Sequence, residues 1–345
     1  MAGETVVSWC LHLRLRWNGH GLRNGAGLDR PYLKSCFRLY EGEVKRMQLG
    51  TDAYYMTKVP QAFLYEKDGT VADEVLSGWI LQRLPEKPER GSASDARIPV
   101  QTHYGYRGYI DPSALRPIAL DDIRCRAAGE KTMVVTKRFA DLLSQPRVQG
   151  QILTTLSIGS FLQLIKPAEH GYLLVEVADG QRGYMPASSL SGRKDSDGYF
   201  LCGCDPSWFH SQKAPADQET TRHRIVRSAE SYLGVQYRWG GHSGSGTDCS
   251  GLTFMSYLLN GILIYRDAEL HDGYPVHEIS WADKKPADLL YFPGHVAMYL
   301  GNGRYLHSTG FARDFGCVYG SLVEGEAGYR PDLDGRCTAV GSFFS

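Results

Sequence analysis

The chain has 345 residues, 42% of them hydrophobic, and its 38 basic side chains are matched by 38 acidic ones. That length suggests two or three domains, each with material for a small core. The charge balance argues against nucleic acid or an anionic membrane surface as the main partner, and no apolar run reaches the length of a membrane span. Eight cysteines scattered over a chain this long do not form a disulfide framework. Cys202-Gly203-Cys204 lacks a second Cys/His pair at zinc-finger spacing, so neither metal nor other cofactor is expected.

Residues 1–50 are rich in Gly and Arg. A short helix over residues 40–47 is the one element expected there, and no chemistry. The first residues are acidic where a signal peptide would be basic. The expected location is therefore cytoplasmic, with export after loss of a signal peptide as the alternative. An internal repeat follows. Arg107-Gly108-Tyr109-Ile110 returns as Arg182-Gly183-Tyr184-Met185, and Gly78-Trp79-Ile80-Leu81 matches Gly171-Tyr172-Leu173-Leu174. Short strands between Gly and polar turns imply two small antiparallel barrels, at residues 51–122 and 123–195. The spacing within the first copy is longer, so that copy carries an inserted loop over residues 85–106, a usual place for binding.

Residues 196–220 are polar and read as a linker. A third domain then fills residues 221–345. Its first element is an amphipathic helix over residues 221–233, with Ile225, Ala229, Tyr232 and Leu233 on one side and Gly234 at the end.

The chemistry centres on Thr247-Asp248-Cys249-Ser250-Gly251, which runs into the apolar stretch 252–259. Asp248 or Thr247 can cap that helix, which puts the Cys249 sulfur at its N-terminus. The macrodipole there favours a thiolate, so a lowered Cys249 pKa is expected. Downstream, a strand beginning at His295 meets the hairpin signal Gly301-Asn302-Gly303 and returns through His307. A helix-start cysteine with two histidines on adjacent strands makes a nucleophile, its base and a group that orients the base.

Four separated blocks carry a resemblance: Tyr237-Arg238-Trp239-Gly240-Gly241, then Thr247 to Gly251, Gly294-His295-Val296 and Leu306-His307-Ser308. In this order they resemble the NlpC-type cell-wall cysteine peptidases, which have a papain-like α+β fold. The likeness covers about residues 220–345. The repeated closing strands resemble the bacterial SH3-like domains that accompany such peptidases. The implied architecture is two SH3-like barrels, packed by the N-terminal segment, before an NlpC-type domain. The resemblance implies catalysis by Cys249, His295 and His307, with Tyr237 completing the oxyanion site beside the Cys249 backbone N–H.

In the branch with two barrels, the counterpart of Asp248 binds the free amine of an N-terminal L-Ala. The first barrel supplies a tyrosine, matching Tyr106, and an acidic residue, matching Glu74 or else Asp73. Ser250 and Trp239 match substrate-lining positions. The implied partner is a murein peptide, L-Ala-γ-D-Glu-diamino acid, cut after the γ-D-Glu. The competing readings are a non-catalytic wall-binding protein and a papain-like amidase or acyltransferase acting on another amide or a lipid.

Overall fold

The computed structural model describes residues 54–85, 97–128, 131–192 and 212–344, all within one unit of the chain, Gly50–Ser345. The expectations for residues 1–50, and the Cys202-Gly203-Cys204 site, lie outside the described residues. Among the described residues no helix is long and apolar enough to cross a membrane.

The first sheet holds β1 (Tyr54–Thr57), β2 (Gln61–Tyr65), β3 (Val71–Leu76), β4 (Ile80–Arg83), β5 (Ile98–Thr102), β6 (Arg107–Ile110) and β7 (Leu115–Pro117). The second holds β8 (Thr132–Val135), β9 (Phe139–Leu143), β10 (Ile152–Ser157), β11 (Phe161–Pro167), β12 (Tyr172–Glu176), β13 (Arg182–Pro186) and β14 (Leu190–Gly192). Their strand orders, β3-β2-β6-β5-β4-β1-β7 and β10-β9-β13-β12-β11-β8-β14, are the same path walked twice. Met56, Leu64, Val75, Leu81 and Ile110 fill the first sheet's interior, and Val135, Leu142, Leu162, Val175 and Met185 the second's.

The repeat needs one correction. β6 and β13 are equivalent, as their sequences imply, but Gly78 matches Gly159 rather than Gly171. Both glycines take left-handed φ, +84° and +85°, at the turns into β4 and β11. Gly-aromatic pairs open more than one strand here, and a period of two cannot tell a strand from the next. The insertion is also shorter than residues 85–106. β5 pairs with β4 (Leu81↔Thr102) and with β6 (Val100↔Gly108), so the extra chain is confined to the β4–β5 connection, residues 84–97.

The two sheets meet through their equivalent turns. Trp79 Nε1 donates to Gly159 O (2.9 Å), and the Phe161 N–H donates to Ser77 O (2.8 Å). A Cβ on Gly78 would lie 2.3 Å from the Phe161 carbonyl oxygen, so only glycine allows this approach. Helix α1 (Leu120–Ala128) bridges β7 and β8.

The remaining chain pairs helices with a third sheet. Helix α2 (Gln218–Glu230) starts earlier than expected, inside the anticipated linker, because the Asp217 carboxylate accepts from Thr220 N and caps it there. Thr221, Ile225 and Ala229 form its buried face. A small hairpin, β15 (His242–Ser243) and β16 (Gly246–Thr247), leads to helix α3 (Cys249–Leu258). The sheet comprises β17 (His277–Ile279), β18 (Leu289–Phe292), β19 (His295–Gly301), β20 (Arg304–Thr309), β21 (Gly316–Ser321) and β22 (Ala339–Ser342), ordered β17-β22-β18-β19-β20-β21.

Every residue of α3 is buried. One side packs on β19 and β20. The other faces the first two sheets, where Phe254 lies 4.8 Å from the Tyr104 ring. The first sheet and helix α3 therefore share one continuous apolar core, whereas most of the second sheet's interior forms a separate one.

Candidate active site

Asp248 makes the start of α3. Its Oδ1 accepts from Gly251 N (2.6 Å) and its Oδ2 from Gly240 N (2.8 Å), which ties the helix cap to the glycine loop before it. Cys249 follows as the first helical residue, 7% exposed. The backbone N–H groups of Val296 and Ser250 point at its sulfur. Ser308 Oγ donates to Thr247 O (2.6 Å), which locks strand β20 to the same turn.

His295 opens β19, and His307 lies on the neighbouring strand β20, where the register Met298↔Leu306 sets it diagonally across from His295. His295 Nε2 and His307 Nδ1 are 2.8 Å apart, within hydrogen-bond distance, so the other nitrogen of His295, Nδ1, stays free for a different partner. The hairpin that brings them together turns through Asn302 (φ +51°) and Gly303 (φ +74°). Tyr305 packs edge-on against His307 at 5.0 Å and restrains its ring.

The expected lowering of the Cys249 pKa is overturned. Burial and the adjacent Asp248 carboxylate outweigh the helix N-terminus and push the thiol up to about 11. Burial, then the nearby Arg330 guanidinium, hold His295 down at about 4. Burial, with His295 alongside, takes His307 to about 3. At neutral pH the pair therefore rests as thiol and neutral imidazole. His295 can take the sulfur's proton as the reaction begins, rather than meeting a preformed thiolate.

The acidic residues are arranged differently from expectation. Asp248 has a cation partner, but it is the chain's own Arg266, from Nη1 to Oδ1 (3.2 Å) and from Nη2 to Oδ2 (3.1 Å). The same guanidinium donates through Nη1 to Ser250 Oγ (2.8 Å) and through Nε to Asp73 Oδ1 (2.9 Å). Tyr104 donates to the other Asp73 oxygen. Asp73 on β3 and Asp248 on the helix cap are thus joined by one buried arginine. Burial lifts Asp73 to about 6, against the pull of Arg266.

Glu74 does not reach the cleft, and its assignment to a substrate amine is corrected. It is fully buried, and its Oε2 accepts from His242 N (2.8 Å) and Ser243 N (3.0 Å), holding β15 against the first sheet. Adjacent residues on a strand face opposite ways, and β3 turns Asp73 toward Arg266 and Glu74 toward the hairpin.

Tyr106 is half-buried, and its hydroxyl pKa is pushed up by burial and then by Asp267. Tyr237 is half-buried, with its hydroxyl pKa raised by burial and then by Cys249. Trp239 is 69% exposed, anchored by Nε1 donating to Val71 O (3.1 Å). Arg266, Asp267, Arg330 and Asp332 were not anticipated. Arg266-Asp267, a charged pair directly after the run Ile262-Leu263-Ile264-Tyr265, was the available signal. Among the described residues no cluster of three or more His, Cys, Asp or Glu could hold a metal.

Glu74 carries a consequence for stability. Burial lifts it from an ordinary 4.5 to about 7, so the folded protein favours its protonated form. Its contribution to stability is fully present below about pH 4.5 and shrinks as pH rises to about 7. The loss reaches on the order of 3 kcal/mol. Urea denaturation at pH 5 and pH 8 should show Glu74→Gln losing this share of the pH dependence. Parallel pH profiles for the two proteins would remove Glu74 as its source.

A thiol at a capped helix start, with a hydrogen-bonded histidine pair on the neighbouring strands, defines a cysteine peptidase. The NlpC/P60 family profile matches residues 234–321, which span Cys249, His295 and His307. Dipeptidyl-peptidase 6 of Lysinibacillus sphaericus is 33% identical over 280 residues, covering 79% of this chain and 92% of its own. The gamma-D-glutamyl-L-lysine dipeptidyl-peptidase of Bacillus subtilis is 28% identical, covering 76% of this chain and 75% of its own. The crystal structure of an NlpC/P60 family protein from Bacillus cereus superposes with a TM-score of 0.64 at 18% identity, over 85% of this chain and 100% of that one. The chain belongs to the NlpC/P60 family of cysteine peptidases.

Proposed function

We propose that this peptidase hydrolyses the bond between γ-D-Glu and a diamino acid in short murein peptides with a free N-terminal L-Ala. The two sheets serve as SH3-like barrels, residues 51–122 and 123–195, and residues 221–345 form the catalytic domain. Cys249 attacks the γ-carbonyl. His295 takes the thiol proton through Nδ1 and passes it to the leaving amine, while His307 fixes the tautomer and tilt of His295. The Cys249 N–H and the Tyr237 hydroxyl receive the oxyanion. Water, activated by His295, then hydrolyses the thioester and frees the dipeptide.

The substrate amine meets Tyr106 and Asp267, a half-buried carboxylate whose charge raises the Tyr106 pKa, with the Asp73–Arg266–Asp248 bridge behind them. Asp248 and Ser250 shape this end of the cleft through Arg266, and exposed Trp239 walls it. The names of the Bacillus relatives, which specify a γ-D-glutamyl-L-lysine bond, support the bond type.

The observation that carries the reading is the 2.8 Å contact between His295 Nε2 and His307 Nδ1, one residue from the Val296 N–H that faces the Cys249 sulfur. The test is cleavage of L-Ala-γ-D-Glu-diamino acid against its N-acetylated form. Release of L-Ala-D-Glu from the free-amine peptide is expected, with kcat/KM about 100-fold lower after acetylation, the scale of one lost charge-assisted contact. Equal rates on both peptides would remove the amine pocket from the proposal.

A further inference from the structure

A cavity of about 330 Å³ opens directly beside His295, and the acidic groups around Arg266 do not line it. Pro293, Gly294 and His295 line it together with Arg330, Asp332 and Arg336. His295 is the group that protonates the departing nitrogen, so a cavity sharing it as a wall receives the half of the substrate that leaves. This step rests on the proposed peptidase reaction.

The two arginines are not equivalent. Arg330 is buried and fully engaged. Its Nε and Nη2 grip the Asp332 carboxylate at 2.7 and 2.6 Å, its Nη1 donates to Thr309 Oγ1 (3.2 Å), and its guanidinium lies 4.2 Å from the Phe311 ring centroid. That arrangement neutralises Asp332 and makes a rigid floor. Arg336 is exposed, and among the described residues its hydrogen bond is a long one, 3.5 Å, to the Asp332 backbone oxygen. No carboxylate pairs with it there. The cavity thus carries one uncompensated, solvent-facing guanidinium over a fixed floor, and five N–H donors in a planar fork suit a carboxylate.

We propose that this cavity binds a carboxylate carried by the diamino acid on the departing side of the bond, with Arg336 as its ligand. Two groups on that residue offer the same chemistry. One is the α-carboxylate of a chain-terminal diamino acid. The other is a side-chain carboxylate of the diaminopimelate type, which lysine lacks. The cleft is then polarised, with an acidic end that takes the substrate amine and a basic end that takes the acid.

Three peptides separate the sources: L-Ala-γ-D-Glu-L-Lys amide, with no carboxylate on the departing residue; the free-acid L-Lys peptide; and the diaminopimelate peptide with its α-carboxylate amidated. The full chain should cleave one or both carboxylate-bearing peptides with kcat/KM about ten-fold or more above the lysine amide, as for a charge-assisted contact at a partly open site. A gain confined to the free-acid lysine peptide assigns the α-carboxylate. A gain confined to the diaminopimelate amide assigns the side chain. Arg336→Gln should erase the preference through KM with little change in kcat, and Arg336→Lys should retain part of it. Cleavage of all three peptides within two-fold of one another would overturn the carboxylate site and leave the peptidase reading intact, as would an equal loss on all three in Arg336→Gln. Failure of the unaltered protein to cleave any of them would overturn both.

Discussion

Cys249→Ala should abolish hydrolysis, with kcat/KM lower by at least about 10,000-fold, the scale seen when a covalent nucleophile is lost. Calorimetry should still detect peptide binding, because the amine-recognition groups and the cavity beside His295 are untouched. The electrostatics of the pair sharpen the expectation. Cys249 is pushed up to about 11 and His295 down to about 4, so the resting site is uncharged. The proton moves only when a carbonyl is in place to accept the sulfur's electrons. His295 must be neutral to take that proton, so the acid limb of kcat/KM should lie near pH 4 instead of near the 6.5 of an ordinary histidine. His307→Ala removes the hydrogen bond at His295 Nε2 and should cost about 100- to 1,000-fold, chiefly in kcat. Turnover above about 1% in Cys249→Ala, assayed by chromatography of the released dipeptide, would mean that another group is the nucleophile.

The parts of this site that sequence could reveal are those held together locally. Asp248, Cys249 and the apolar run after them specify a capped helix within a dozen residues. Gly301-Asn302-Gly303 specifies the hairpin that brings His307 on one strand within reach of His295 on the next. The closing strands at Arg107 and Arg182 likewise announced a duplicated sheet. The illegible parts come from tertiary closure. Asp73 and Glu74 are neighbours on β3, and only packing decides which one faces Arg266. Arg266 meets Asp73 across 193 residues of chain, a pairing with no sequence period behind it. The sign of the Cys249 shift was misjudged for a related reason. The helix N-terminus is a local effect readable from the cap, while the burial that overrides it comes from distant chain packed against the helix, β19 and β20 among it. Arg330 and Asp332 lie beyond the last recognisable block and join the site only because β20 and the loop after β21 converge on His295.

Arg266→Met should destabilise the fold by about 3–5 kcal/mol, the usual cost of stranding buried charges. The guanidinium is 3% exposed and serves two carboxylates and Ser250 at once. Methionine fills much of the same volume but leaves Asp73 and Asp248 facing each other without a counter-charge. Arg266→Lys has one ammonium for three acceptors in two directions, and should recover only part of the loss. The defect should depend on pH. Asp73 is already lifted to about 6 with Arg266 present, so without Arg266 it takes a proton more readily still. At pH 5 the stranded pair can shed charge, and the penalty in urea denaturation should be clearly smaller than at pH 8. A double variant, Arg266→Met with Asp73→Asn, should regain stability relative to Arg266→Met alone, because one stranded charge has been removed. Asp73 belongs to the first sheet and Asp248 to the turn before Cys249, so the same substitution loosens the seam between them. Activity should then fall more steeply than the folded fraction. If activity instead tracks the folded fraction at every urea concentration, Arg266 is a stabilising bridge and has no part in setting the cleft.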